Sequence, residues 1–374
     1  MIETLQAIAY NTLPFLGVLT ILVFVHELGH YYFARRYGVG VVAFAIGFGP
    51  ELFGWTDKHG TRWRLCAIPL GGYLQMYGDL DAASARKSST DDLPDAEKNK
   101  CQAAKTVGQR AWIAFGGPLF NFIFAIVALS GLYMTAGKMH QQAVVGGVAP
   151  NSPAAIAGLE PGDQITSIDS QAIKDWNQMV TAIQAIKDRE VTIVVNRQDK
   201  NTELSITPQK SKNGDDYYRI GVQAGFSGVR HRLSAIQSIK YAFVDSYNIG
   251  TSMLSSIGQI IVGKSSTKNL GGPLKIAQVS GQVAQHGIGA LIGFMVMLSI
   301  SLGLLNLFPI PALDGGHLTL YALEAIRGRP LSEKAEHIMA TIGFTLLMAL
   351  ILLVTWQDLM ALKVVQSVLS LIGF

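Results

Sequence analysis

Four stretches of this sequence are apolar over the length needed to cross a bilayer: about 13–33, 112–136, 287–308 and 338–356. A helix spanning roughly 30 Å of hydrocarbon needs about 20 such residues. Where the chain meets lipid, its backbone groups have no water to bond, so helices or a closed barrel are the available solutions. The expected fold is a polytopic α-helical membrane protein with about four transmembrane helices. Composition agrees, since 49% hydrophobic and 15% charged residues are too apolar a mix for a soluble protein of 374 residues. Disordered, collagenous and disulfide-scaffold classes are excluded on the same ground. The net charge of +4 is spread along the chain with no arginine-rich block, so no nucleic-acid partner is expected. Cys66 and Cys101 lack CxxC spacing and are expected to be free thiols with no metal role.

The first apolar run carries His26, Glu27 and His30 before Tyr31, Tyr32 and Phe33 resume it. Residues 1–11 contain no Lys or Arg, and no small-residue cleavage site follows, so this span is expected to be retained and not removed as a signal peptide. Arg35, Arg36, Lys105, Arg110, Arg327, Arg329 and Lys334 flank the spans on what is then the cytosolic side. Both termini and the long section 137–286 are expected on the opposite face.

Four regions follow. Residues 1–140 hold the first half of a membrane core, including a β-hairpin region at 41–78 punctuated by Gly47-Phe48-Gly49-Pro50, by 57–60 and by Gly71-Gly72. Residues 79–105 lose their large apolar side chains and read as a loop. Residues 141–226 change character, with a helical pattern over 176–186 between alternating strand-like runs, and read as a small soluble domain. Residues 227–286 are an interfacial linker in which Leu233, Ile236, Ile239, Phe243 and Tyr247 recur at helical spacing. Residues 287–374 hold the second half of the membrane core.

The chemistry lies in the membrane segments. In His26-Glu27-Leu28-Gly29-His30 the two histidines lie four residues apart on one helix face and can present two imidazole nitrogens to one Zn²⁺. Glu27 lies about 100° round the helix, placed to accept a proton from an activated water. Random placement of the histidines and glutamates would produce such a pattern about 0.005 times in this chain. Ionisable groups inside a membrane helix each cost roughly 2.5 kcal/mol or more unless they face a polar partner. A catalytic zinc needs a third protein ligand and an open fourth position. Asp314, in the segment 306–317 (NLFPIPALDGGH), is the best candidate. Pro309 and Pro311 cannot continue a regular helix, which frees the backbone to turn Asp314 toward the histidine pair. Taken alone, Asp314 reads as the N-cap of the next helix; beside the histidine motif it reads as a ligand. Asn306 offers an amide donor and acceptor to an extended peptide. His317, Asp358 and Glu324 are further ligand candidates; an i,i+3 pairing with Arg327 accounts for Glu324.

Residues 158–173 (GLEPGDQITSIDSQAI) resemble the PDZ family, in one copy, which implies peptide binding by strand addition beside a carboxylate-binding loop, here expected at 145–148. The two membrane motifs, the four spans and the inserted PDZ together resemble the site-2 protease family of bacterial intramembrane zinc metalloproteases, in its single-PDZ branch. The resemblance covers nearly the whole chain. It implies His26, His30 and Asp314 as zinc ligands, Glu27 as catalytic base, and Asn306, Pro309 and Pro311 as substrate-handling residues. It also implies location in the bacterial inner membrane with the PDZ domain on the periplasmic side. The implied substrates are single-span membrane proteins already shortened by another protease, such as anti-sigma factors, and remnant signal peptides. The segments 116–121 and 270–273 also look like family segments, but their residue types alone give them no chemistry. The alternatives are a membrane-anchored PDZ scaffold and a zincin acting on substrates outside the membrane.

Overall fold

The computed structural model describes residues 2–78, 95–210, 217–225, 228–263, 271–329 and 331–361. Along the chain the elements are α1 (Ile2–Arg36), β1 (Val41–Thr56), β2 (Arg62–Met76), α2 (Asp95–Lys98), α3 (Val107–Ala136), β3 (Lys138–Gln141), β4 (Val145–Val148), α4 (Pro153–Ile156), β5 (Gln164–Ile168), β6 (Gln171–Ala172), α5 (Trp176–Ile186), β7 (Val191–Arg197) and β8 (Lys200–Ile206). There follow β9 (Gln209–Lys210), β10 (Tyr218–Arg219), β11 (Val222–Ala224), β12 (Gly228–His231), α6 (Ala235–Ile261), α7 (Pro273–Gln285), α8 (Ile288–Asn306), α9 (Asp314–Arg327) and α10 (Glu333–Ala361). Two compact units result: Met1–Gly131 with Ile239–Gly258 and Ser266–Phe374, and Leu132–Ser238 with Gln259–Ser265.

The first unit contains helices long and apolar enough to cross a membrane at Thr12–Arg36, Val107–Ala136, Ile288–Asn306 and Ile338–Met360. Val18 and Leu22 of α1 pack on Met295 of α8, with Phe124 of α3 and Leu291, Leu298 and Leu302 of α8 closing the cluster. On α10 the large side chains Phe344, Leu346, Leu352 and Leu353 are exposed, as a lipid-facing helix requires.

The β1–β2 hairpin pairs twice. Phe44 lies opposite both Leu74 and Trp63, and Ile46 opposite both Gly72 and Leu65, because each strand bends in its middle. At the bend of β1, Gly47 and Gly49 have φ of 86° and 85°, a left-handed conformation that suits glycine. Residues 72–76 and 51–56 are left as the outer edges of the folded-back sheet. Phe44, Leu74 and Met76 bury one face against Ala34 of α1 and Ile113 of α3, with Phe24, Leu28 and Tyr31 packed around them. The turn is tied to α1 through Asp57, whose carboxylate accepts from the Thr61 and His59 amides (3.0 and 2.8 Å), the Trp63 indole (3.0 Å) and the Tyr31 hydroxyl (3.2 Å). Burial works against this charge, but the donors outweigh it and hold the Asp57 carboxyl at about 2.

Residues 79–94 of the expected loop lie outside the described residues. Its remainder is structured: α2 is followed by a 3-10 turn at Gln102–Ala104, and Cys101 is buried. Gly40 donates to the Lys100 carbonyl at 2.9 Å, anchoring this short segment to the start of β1. Both cysteines are free and buried.

The second unit is an α+β fold of the PDZ type. Its four-stranded sheet runs β6-β5-β7-β8, and β4 pairs with β11. Ile165, Ile168, Ile193, Val195 and Ile206 of the sheet meet Met179 and Ile183 of α5 in one core. The helix α5 begins at Asp175, whose side chain accepts from the Gln178 amide as an N-cap. Segment 145–148, expected to lie at the peptide-carboxylate loop, forms the strand β4. One side of β4 pairs with β11, and on the other Val145 exchanges backbone bonds with Asp163 and Gly162. The open edge is that of β11, which among the described residues pairs only with β4.

Candidate metal centre

The site forms where α1 crosses α3 and the start of α9 turns back on both. Gly29 and Gly116 let the α1 and α3 backbones touch, as small residues do at close helix crossings in membranes. Gly117 lies under the imidazoles, and a side chain there would run into His30 Nε2 and His26 Cε1. The α8 helix ends at Asn306, and residues 307–313 make a tight link in which Ile310 donates to Phe308 O (2.7 Å) and Leu313 to Ile310 O (3.0 Å). Ala312 adopts φ 87°, a left-handed conformation that costs a non-glycine residue of order 1 kcal/mol or more. Gly315 and Gly316 press against the carbonyls of 307–308 and of Ile310, so the first turn of α9 folds directly onto the link.

Asp314 is the first residue inside α9, and the cap position belongs to Leu313, with no side-chain cap bond. The carboxylate is thus free to face the histidines. Asp314 Oδ2 lies 3.2 Å from His26 Nε2, Asp314 Oδ1 lies 3.4 Å from His30 Nε2, and the two Nε2 atoms are 3.2 Å apart. Two ligands at about 2.0–2.1 Å from zinc and at the tetrahedral angle are separated by about 3.3–3.4 Å. The three donors therefore fit one four-coordinate zinc and leave one position over. Both histidines are buried, each 9% exposed. His30 Nδ1 is 2.8 Å from the Ile113 carbonyl, and His26 Nδ1 is 3.1 Å from Asn121 Nδ2.

Glu27, on the same turn, faces the Leu74 amide on the 72–76 edge of the folded-back sheet. Asn306 Nδ2 lies 3.4 Å from His26 Nε2 at the rim of the cluster. The structure thus brings His26, Glu27, His30, Asp314 and Asn306 together. Pro309 and Pro311 lie in the 307–313 link; Pro309 is exposed, and the Pro311 carbonyl abuts Gly343 of α10. Of the other acidic candidates, Glu324 pairs with Arg110 of α3 and not with Arg327. Asp358 accepts from the Gly272 and Lys275 amides at 3.2 and 3.0 Å, which caps α7 and gives Gly272 a structural role. Ile113 and Asn121, the partners of the two Nδ1 atoms, were not expected from the sequence. Only the asparagine in the Gly116–Asn121 run could have drawn attention to them.

A carboxylate beside three donors that fit one metal ion with a corner to spare is suited to hydrolysis, and here the arrangement is built into helices of membrane-crossing length. The class is that of a membrane metalloprotease that uses zinc. The chain belongs to peptidase family M50, the site-2 protease family, whose model matches residues 14–350. It is 37% identical, over 95% of this chain and 98% of the other, to a protein of Rhizobium meliloti (strain 1021) that carries the name of a zinc metalloprotease. It is 31% identical, over 96% and 99%, to the zinc metalloprotease RasP of Geobacillus kaustophilus (strain HTA426). Among solved structures, the PDZ domain of an SdrC-like protein from Listeria monocytogenes is 29% identical over 23% of this chain and 88% of that one, with a TM-score of 0.21.

Proposed function

We propose that this protease hydrolyses peptide bonds within or beside the transmembrane segments of single-span membrane proteins. Its substrate class would be proteins pre-shortened by another protease, anti-sigma factors among them, and remnant signal peptides. The observation that carries the reading is the position of His26, Glu27 and His30 inside the span Thr12–Arg36, at the crossing with α3, where a soluble protein substrate has no ready access. In this reading His26, His30 and Asp314 hold zinc, which when bound supplies Lewis acidity to a water and to the scissile carbonyl. Glu27 takes the proton from the attacking water and returns it to the leaving amine. The Leu74 amide beside it puts it against the 72–76 edge. A substrate unwound into an extended strand and added to that edge would pass directly by the cluster. Asn306 would hold a substrate amide, and Pro309 and Pro311 would shape the link that presents Asn306 and Asp314.

The chain would sit in the bacterial inner membrane with its termini and PDZ unit on the periplasmic side, as the flanking arginines and lysines suggest. The free edge of β11 supports capture of a peptide C-terminus there. The test is zinc content and cleavage of a model transmembrane peptide by the detergent-solubilised protein, compared with Glu27→Gln and Asp314→Ala. Glu27→Gln is expected to keep zinc and lose at least about 100-fold in rate; Asp314→Ala is expected to lose both. Cleavage of soluble peptides only would favour a zincin acting outside the membrane.

A further inference from the structure

Asn121 is fully buried in α3, and its side-chain carbonyl Oδ1 has no hydrogen-bond partner. Its Nδ2 lies 3.1 Å from His26 Nδ1. The two histidines differ in this respect. His30 Nδ1 is 2.8 Å from the Ile113 carbonyl, an atom that only accepts, so the hydrogen sits on Nδ1 and the Nε2 lone pair faces Asp314. His26 also turns Nε2 toward the cluster, 3.2 Å from Asp314 and from His30. For that nitrogen to offer a lone pair, the hydrogen of His26 must lie on Nδ1, where it would meet the Asn121 NH₂ donor to donor.

We infer that Asn121 is a positioning residue for His26, its amide turned so that Oδ1 accepts from Nδ1–H and the Nε2 lone pair is held toward the metal position. The two ends of an amide are nearly isosteric, so rotation about the terminal side-chain bond reverses donor and acceptor in the same space. The exchange gives Oδ1 the donor it lacks. The backbone of Asn121 is independently fixed, because Ser299 Oγ of α8 donates to its carbonyl at 2.8 Å and Gly303 of α8 packs against its side chain. Partners that orient metal-ligating histidines in this way are worth about 10–100-fold in metal affinity. The Gly116–Asn121 run then has three tasks within about a turn and a half of helix: Gly116 makes the helix contact, Gly117 leaves room for the imidazoles, and Asn121 sets the direction of one of them.

This inference rests on the reading that His26, His30 and Asp314 hold zinc, and the test separates the two. Zinc affinity of the full-length protein in detergent is measured by competition with a chromophoric chelator, and the coordination is followed by the visible spectrum of the Co²⁺-loaded form. Asn121→Asp keeps size and acceptor but cannot donate; Asn121→Leu keeps approximate size and can do neither. The expected result is Asn121→Asp within about threefold of wild type with an unchanged cobalt spectrum, and Asn121→Leu weakened about 10–100-fold. Asn121→Leu binding zinc within twofold of wild type would overturn the inference, as would Asn121→Asp losing affinity while unfolding at the wild-type temperature. If Asn121→Leu does not fold, the aspartate variant alone decides between acceptor and donor. His30→Ala is the control: if it retains wild-type zinc affinity, the metal reading itself falls and the inference with it.

Discussion

Gly116 of α3 lies so close to Gly29 of α1 that a Cβ on it would stand 2.5 Å from the Gly29 carbonyl oxygen. This crossing sets the height of His30, the next residue, against the Ile113 carbonyl. Gly29→Ala is expected to force the helices apart, costing about 1–3 kcal/mol of stability as overpacking does, and to lower zinc occupancy with it. Gly117→Ala acts differently, since its methyl meets the imidazoles and not the opposing backbone. It should lower zinc occupancy with a smaller change in unfolding temperature. Metal analysis and thermal unfolding of both variants check this; full occupancy in both would contradict the packing argument.

Strand addition to the 72–76 edge requires a substrate helix to give up its internal hydrogen bonds. Each is worth about 1 kcal/mol net, so unwinding one turn costs a few kcal/mol. A transmembrane peptide carrying a Gly-Pro pair near the scissile bond is therefore expected to be cut about 10-fold or more faster than one locked by α,α-dialkyl residues. Comparing kcat/KM for the two in the same detergent measures this, and equal rates would remove the extended-substrate mechanism.

Arg110 of α3 and Glu324 of α9 form an ion pair with both side chains 12% exposed, and the Arg110 guanidinium also lies 5.0 Å from the centre of the Tyr321 ring. The pair ties the helix that carries Asp314 to the helix that carries Ile113 and Asn121. Removing one partner leaves a poorly solvated charge and costs roughly 3–5 kcal/mol. Glu324→Leu is expected to lower the unfolding temperature strongly, and Arg110→Met with Glu324→Leu to recover most of the loss. Thermal unfolding of the single and double variants reads the coupling directly; additive losses would mean the two charges act separately.

The parts of this molecule that were legible in sequence are those whose chemistry is local. The four apolar runs follow from length and composition alone, and the i,i+4 histidines follow from helix geometry. The break at Pro309 and Pro311 and the double glycine at 315–316 mark where α8 had to stop and α9 could fold back. What was not legible depends on contacts between distant segments. Glu324 has Arg327 three residues away in sequence, yet its partner is Arg110, because α9 packs on α3 and the shorter-range pair was only one of two options. The 145–148 segment has the hydrophobicity of a strand, but whether its edge is free depends on β11, far along the chain. Asn121 carries no charge and no ligand pattern, so its placement under His26 becomes visible only once α1 and α3 are crossed at their glycines.

Asp163 of the PDZ-type unit is 1% exposed and meets Arg197 in a two-pronged contact, Nε to Oδ1 and Nη2 to Oδ2 at 2.7 Å each. It also accepts from the Glu160 amide at 2.9 Å, while Arg197 donates to the Gly158 carbonyl at 2.7 Å. The cluster thus holds the 158–163 turn beside Val145. Burial opposes the charge, but the guanidinium and the amide outweigh it and hold the Asp163 carboxyl below the usual carboxylate range. A depressed folded-state value means the stabilisation is complete above the unfolded value near 3.9 and is lost as pH falls through the folded one. Hydrogen exchange at the Val145, Gly162 and Ile165 amides is therefore expected to show constant protection from pH 7 to about 5, after correction for intrinsic exchange, and falling protection below about 4. Asp163→Asn should remove about 2 kcal/mol of that protection at pH 7, less than a fully buried pair because Arg197 is partly exposed, and should flatten the acid dependence. Unchanged protection in the variant at pH 7 would show that the turn is held by its backbone bonds alone.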